Sequence, residues 1–305
     1  RKVKIVATLG PASGDLEMIK KLIISGLNVA RINMSHGSYE KQAEVIKNIR
    51  QASEEIGQEV AVLLDLQGPK IRVDKMDADL NLITGSEWVI GENAIKEDYP
   101  EYKNCFIPTV YKDLVNDCFD GARILFDDGN IKAKALVRDR DVYKIKILEG
   151  GVLKPRKGIN LPDCQVSIPA FTEKDQLDLI FGIENDIDFV ALSFVRTAHD
   201  LNMVKKFLSE RGADIPLIAK IEKPQAVTNL QEILDVADII MIARGDMGVE
   251  IGNHMVPVVQ RRIIRMCNQQ GIPVITATQM MESMIEHSTP TRAEASDVAH
   301  SVWDG

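Results

Sequence analysis

Lys220 and Glu222 close an apolar run two positions apart, and the next such run ends in Arg244-Gly245-Asp246. These residue types suit one chemistry. Glu222 and Asp246 offer two carboxylates, and Mg²⁺ typically takes one or two carboxylates while keeping its other positions for water and substrate oxygens. An ammonium at Lys220 beside such an ion would stabilise negative charge on a phosphoryl group or an enolate. Gly245 and Asp246 stand where a helix would start, so free backbone N–H groups could receive a carboxylate. Arg31 offers a planar fork for phosphate. Read singly, each residue has a plainer use. Lys220 and Glu222 could be a surface ion pair of little energy, and Asp246 a helix cap. Arg31 could be a surface cation, Asn33 and Ser35 turn residues, and Thr278 an ordinary strand residue. Convergence on one rim is what would make them a site, and that depends on the elements carrying them.

Those elements alternate strand and helix. Residues 4–9, 29–35 and 60–66 read as strands. The third is apolar almost throughout before Asp65, which marks a strand buried on both faces of a parallel sheet. Residues 15–25 place Leu16, Ile19, Leu22 and Ile23 on one helical face, ended by Gly26, and residues 38–56 form a second helix ended by Gly57. The rhythm then breaks. Residues 70–165 show short alternating strands and tight turns, including a hairpin of 123–126 and 131–137 around Asp127-Asp128-Gly129-Asn130. After Pro169 the alternation resumes. Capping-box pairs Thr172/Asp175, Thr197/Asp200 and Thr291/Glu294 open helices, Pro224 stands at a helix start, and residues 255–270 form a helix stopped by Gly271. Strands are expected over 189–195, 216–222, 238–243 and 273–278.

Seven strand–helix units with one β insertion predict an α/β fold. The expected form is a (β/α)8 TIM barrel, truncated before the eighth strand, with an inserted small all-β barrel-like domain. Its division is 1–68 for the first part of the barrel, 69–166 for the inserted β lid domain and 167–305 for the second part. The segment Gly10-Pro11-Ala12-Ser13-Gly14 lacks the GxGxxG spacing of a dinucleotide turn. In such a barrel the active site lies at the C-terminal strand ends. Arg31, Asn33, Ser35, Asp65, Lys220, Glu222, Asp246 and Thr278 all fall there.

Composition narrows the ligand. Lys and Arg number 37 against 45 Asp and Glu, a formal charge of −8, which argues against broad nucleic-acid binding. A few local cations can still hold a small anion inside an acidic protein. The four cysteines, Cys105, Cys118, Cys164 and Cys267, have no zinc spacing and read as reduced thiols of a cytoplasmic protein. No apolar run approaches the ~20 residues of a membrane span. The chain starts without Met and stops at Trp303-Asp304-Gly305, where an eighth strand is due, so it is expected to be a piece of a longer chain.

The segments KIVATLGPAS (4–13), NVARINMSHG (28–37), AKIEK (219–223), ARGDMG (243–248), ATQMMESM (277–284) and PTRAE (290–294) closely resemble the signatures of the pyruvate kinase family. The resemblance implies a Mg²⁺- or Mn²⁺-dependent glycolytic phosphotransferase that moves a phosphoryl group from phosphoenolpyruvate to ADP, giving pyruvate and ATP. On the matching positions, Arg31 would contact the transferring phosphate and Lys220 would stabilise phosphoryl and enolate charge. Glu222 and Asp246 would bind the divalent ion, with Gly245 beside the substrate. Thr278 would lie in a proton path to enolpyruvate. Asn33, His36, Arg72 and Lys157 would lie toward the nucleotide, and the β insertion would close as a lid that excludes water. Homotetramers are usual in the family.

Two departures matter. Many members need K⁺, bound near the positions matching Asn33, Ser35, Asp65 and Leu66, and carry Glu at the position of Lys70. The segment Asp65-Leu66-Gln67-Gly68-Pro69-Lys70 resembles the K⁺-independent group instead, with the tethered ammonium of Lys70 supplying the cation's charge. The eighth strand and C-terminal domain of the family do not follow Gly305. Two other readings stay open: a metal-dependent aldolase or decarboxylase on a similar barrel, and a chain that binds ligand without completing a reaction.

Overall fold

The computed structural model of the protein describes residues 3–305. Arg1 and Lys2, which open the basic start of the sequence, lie outside the described residues. Contacts divide the chain into two compact units. One takes the described residues up to Pro69 with Pro169–Arg244 and Pro257–Gly305; the other takes Lys70–Ile168 and Gly245–Val256. The sequence alone places 245–256 in the barrel by rhythm, whereas these residues pack with the β insertion.

The first unit begins β1 (Val6–Thr8), α1 (Leu16–Ser25), β2 (Val29–Asn33), α2 (Tyr39–Ile56) and β3 (Ala61–Asp65). Asp15 caps α1 by accepting the Met18 N–H, and Gly26 and Gly57 end the two helices at φ 112° and 72°. Only a residue without Cβ takes that left-handed turn cheaply.

The insertion contributes β4 (Leu80–Leu82), β5 (Glu87–Glu92), β6 (Phe106–Thr109), the short α3 (Leu114–Asp117), β7 (Arg123–Phe126), β8 (Ile131–Asp139), β9 (Val142–Glu149), β10 (Gly151–Leu153) and β11 (Ile159–Asn160). Six of these strands form one sheet in the order β11-β7-β8-β9-β5-β6, and β10 pairs with β4. The β7–β8 hairpin turns where the sequence predicts, with Asp127, Asp128 and Gly129 at positive φ. Alternate residues Ile131, Ala133 and Ala135 of β8, with Ile145 and Ile147 of β9, enter a core completed by Phe126, Ile107 and Leu153. This unit therefore has its own apolar interior.

The chain then returns to the first sheet through α4 (Glu173–Glu184), β12 (Phe189–Leu192), α5 (Ala198–Ser209), β13 (Leu217–Ile221), α6 (Pro224–Thr228), α7 (Leu230–Leu234), β14 (Ile239–Ala243), α8 (Arg244–Ile251), α9 (Val256–Gln270), β15 (Val274–Ala277) and α10 (Arg292–Asp304). All three predicted capping boxes form, at α4, α5 and α10. Among the described residues seven strands make one parallel sheet in the order β1-β2-β3-β12-β13-β14-β15, which is chain order once the insertion is set aside. This is the seven-stranded, truncated barrel with its inserted β domain. No helix of the described residues is long and apolar enough to cross a membrane.

One face of this sheet carries an apolar layer of Leu63, Ala191, Ile218 and Met241, flanked by Val6, Val29, Phe189, Ile239, Ile275 and Ala277. Because side chains alternate along a strand, the next same-face positions are Thr8, Arg31, Asp65, Ser193 and Lys220. On β1, β2, β3, β12 and β13 the layer changes from apolar to polar in a single step toward the strand ends, whereas β14 and β15 continue with Ala243 and Ala277.

At α10, Glu294 accepts from the Ser283 hydroxyl and N–H and from the Thr291 N–H and hydroxyl. These bonds favour the charged carboxylate and hold its pKa down to about 2. The folded value lies below the ordinary 4.5, so this contribution is complete above the ordinary range and is lost as pH falls toward about 2. A carboxyl ¹³C NMR titration should show Glu294 ionised at pH 3.5; a midpoint near the ordinary glutamate value would contradict the network.

Candidate active site

Register sets the site. In the parallel pairings Thr8 lies beside Arg31, Arg31 beside Leu63, Asp65 beside Ala191, and Ala191 beside Ile218. Asp65 is thus one same-face step beyond the neighbour of Arg31, and Lys220 one step beyond the neighbour of Ala191. Diagonal spacing of this kind is within reach of long side chains.

Arg31 uses it. Its Nε and Nη2 each lie 2.6 Å from Asp65 Oδ2, and its Nη1 donates to the Thr8 hydroxyl at 2.6 Å. Lys220 approaches the other oxygen of the same carboxylate, Nζ to Asp65 Oδ1 at 3.2 Å, and lies 3.1 Å from Glu222 Oε1. Its third partner is the Ser193 hydroxyl at 2.6 Å. Asp65 is 1% exposed and Glu222 0%. Burial alone pulls the Lys220 pKa down, but the charges of Asp65 and then Glu222 outweigh it, so the ammonium is held above the ordinary lysine value and stays protonated. Arg31, Lys220, Asp65 and Glu222 make a quartet of two cations and two anions.

The second oxygen of Glu222 accepts the backbone N–H of Phe194 at 2.6 Å. Phe194 has φ 55°, unusual for an aromatic residue. The turn packs under Gly68, itself at φ 66°, where an added Cβ would fall 3.0 Å from both the Ser193 Cβ and the Phe194 ring. The Gly68 N–H donates to Asp175, the capping-box residue of α4. A buried helix cap therefore also holds the loop that leaves β3.

The other predicted residues fall as follows. Asn33 ends β2 and its Oδ1 accepts the Ser35 N–H at 3.0 Å, while His36 is exposed. Leu66 is buried, and its carbonyl accepts the Ser193 hydroxyl at 2.7 Å. Thr278 follows β15 at φ 69°, a strained setting for a β-branched residue. Its carbonyl accepts Arg244 Nη2 at 2.7 Å, and Arg244 is fixed in turn by Asp297 of α10 at 2.7 Å. Gly245 and Asp246 occupy the first turn of α8 and count with the second unit. Within that unit Arg72 donates to the Arg156 carbonyl at 3.2 Å, and Lys157 pairs with Asp127 at 2.6 Å. Lys70 is half-buried there, its side chain against Gly158.

Sequence reading missed Ser193, Thr8 and the Arg244–Asp297 clamp. Ser193 had an available signal, since it shares parity with Phe189 and Ala191. The clamp had none, because its partners lie far apart in the chain.

Asp65 balances both cations, so Asp65→Asn should destabilise the protein by about 3–5 kcal/mol, the usual cost of removing one partner from a buried ion pair, and lower the Lys220 pKa. Urea unfolding and ¹⁵N NMR of the ammonium measure the two effects. A loss under about 1 kcal/mol, the value of an exposed pair, would show that the quartet is not a buried unit.

Comparison with known proteins gives the family of the chain. The family model "Pyruvate kinase, barrel domain" matches residues 1–305. Pyruvate kinase of Staphylococcus aureus strain MRSA252 is 46% identical over 308 residues, covering 100% of this chain and 52% of that protein. The proteins of the same name from strains USA300 and NCTC 8325 / PS 47 are also 46% identical over the same shares. The chain spans about half the length of these curated relatives. It belongs to the pyruvate kinase family.

Proposed function

We propose that this chain carries the chemical centre of a phosphotransferase that moves a phosphoryl group from phosphoenolpyruvate to ADP, giving pyruvate and ATP. The observation that carries this reading is the Lys220 ammonium. It is buried, kept charged by Asp65 and Glu222, and stands at the strand ends of the barrel sheet. A fixed cation in a water-poor site stabilises developing negative charge without reorganising when the charge appears. Phosphoryl transfer leaves such charge on the phosphoryl oxygens and on the enolate left behind.

Arg31 suits the transferring phosphate. Three of its five N–H groups orient it on Asp65 and Thr8, which leaves donors for a ligand. Glu222 and Asp246 are proposed to hold Mg²⁺ or Mn²⁺. Among the described residues no group of three or more His, Cys, Asp or Glu side chains could hold a metal. A hard ion of this kind takes one or two carboxylates and completes its shell with water and substrate oxygens, so two carboxylates are a sufficient protein donor set for it. When bound, that ion would supply charge neutralisation at the phosphoryl oxygens.

Thr278, held at its strained backbone by Arg244, is proposed to serve proton delivery to the enolate carbon. Asn33, His36, Arg72 and Lys157 are assigned toward the nucleotide on the family resemblance, and Gly245 with Asp246 toward the substrate carboxylate. Lys70 is proposed to replace the monovalent cation otherwise bound near Asn33, Ser35, Asp65 and Leu66. A cytoplasmic location and a homotetrameric full-length protein complete the reading.

With phosphoenolpyruvate, ADP and Mg²⁺, the full-length protein should form pyruvate and ATP, and Lys220→Met should lower kcat by about 10²–10³-fold while the fold persists by circular dichroism. Absence of pyruvate from the wild-type protein, or an unchanged kcat in the variant, would remove the assignment. Adding K⁺ at constant ionic strength, so that screening is unchanged, should alter kcat by less than about twofold; activation by orders of magnitude would refute the role given to Lys70.

A further inference from the structure

We infer that Ser193 is a positioning residue for the Lys220 ammonium, acting as an uncharged acceptor beside its two carboxylates. The inference rests on the phosphoryl-transfer reading above for its kinetic part and on geometry alone for the rest. Lys220 has three N–H donors, and they face Asp65 Oδ1 at 3.2 Å, Glu222 Oε1 at 3.1 Å and Ser193 Oγ at 2.6 Å. The serine contact is the shortest of the three.

The hydroxyl is itself fixed. Its proton goes to the Leu66 carbonyl at 2.7 Å in preference to Asp65 Oδ1 at 3.4 Å, which turns a lone pair toward the ammonium. Ser193 is 2% exposed, so no solvent competes for that lone pair. Two carboxylates alone would leave the ammonium free to slide toward either. A neutral third acceptor sets its position between them without cancelling any of its charge.

The same turn holds the other half of the pair. Phe194, the next residue, donates its N–H to Glu222 Oε2 at 2.6 Å from a left-handed backbone. Gly68 permits the close approach that seats the turn, since a Cβ there would fall 3.2 Å from the Ser193 carbonyl oxygen as well as against its side chain. Ser193 and Phe194 thus bracket Lys220 and Glu222 from one rigid dipeptide.

The test uses the full-length protein with Ser193→Ala and Ser193→Cys. Cysteine keeps most of the shape of serine but is a weak acceptor, so it separates packing from hydrogen bonding. Crystal structures of both variants should show the Lys220 ammonium displaced toward one carboxylate. Pyruvate formation should fall about 10–100-fold in kcat, the range for a misplacement on the order of 1 Å, with KM for ADP nearly unchanged and thermal stability close to wild type. An ammonium that stays in place, a kcat within about twofold of wild type, or a Cys variant that behaves as wild type while Ala does not, would each overturn the inference. If the wild-type protein makes no pyruvate, the functional reading fails, and the position of the ammonium in the two variants alone decides the role of Ser193.

Discussion

Asp65 is a single buried carboxylate asked to face two cations. Arg31 takes one oxygen and Lys220 the other, and Glu222 restores balance on the far side of the ammonium. Removing four charges from water costs several kcal/mol per ion, and only close pairing with further hydrogen bonds offsets it. Everything around the quartet serves that need. Thr8 occupies a donor of Arg31, Ser193 a donor of Lys220, and the Phe194 N–H an oxygen of Glu222. The apolar layer beneath, of Leu63, Ala191, Ile218 and Met241, keeps water away and makes each of these bonds matter more. The constraint reaches the backbone too. Phe194 takes a left-handed conformation to aim its N–H, and Gly68 has no side chain so that the turn can sit close.

Neutrality of the quartet bears on its cost. A buried cluster with spare charge of either sign would keep an uncompensated desolvation penalty, whereas close pairs of opposite sign offset it. Two cations and two anions present a strongly polar surface with no net charge. Under the function proposed above, the ammonium would act through position more than through excess charge, which is the sense in which electrostatic preorganisation stabilises a transition state.

Much of this was legible before the structure. Strand–helix alternation, the all-apolar character of residues 60–64 and three Thr-x-x-acid pairs announced a parallel sheet with helices begun at Thr172, Thr197 and Thr291. Lys220, Glu222, Arg31 and Asp65 were all visible as polar residues closing apolar strands. What could not be read was who partners whom. Asp65 looked like a ligand position for a monovalent ion, and its role as hub appears only when register sets it diagonally from Arg31 and Lys220. Ser193 fell inside the expected strand 189–195, and only its parity with Phe189 and Ala191 set it on the polar end of the apolar face. The grouping of 245–256 with the insertion was hidden as well. Its contact between Asn160 and Glu250 joins residues far apart in the chain, and α8 by itself reads as one more barrel helix.

Chain order within the barrel sheet has one interruption, between β3 and β12, and it carries a kinetic consequence. Every other neighbouring pair joins strands a few tens of residues apart, while this one must close the whole stretch from Asp65 to Phe189. Loop-closure entropy grows only logarithmically, so the added thermodynamic cost is about 1–2 kcal/mol, and the insertion lowers it further by folding around its own core. The cost in time is greater, because pairings of large sequence separation form slowly. Asp65 lies before that junction and Ser193, Lys220 and Glu222 after it. The ionic quartet therefore cannot assemble until the slowest pairing of the sheet has formed, and a partly folded chain would have every strand-end residue yet no organised charge.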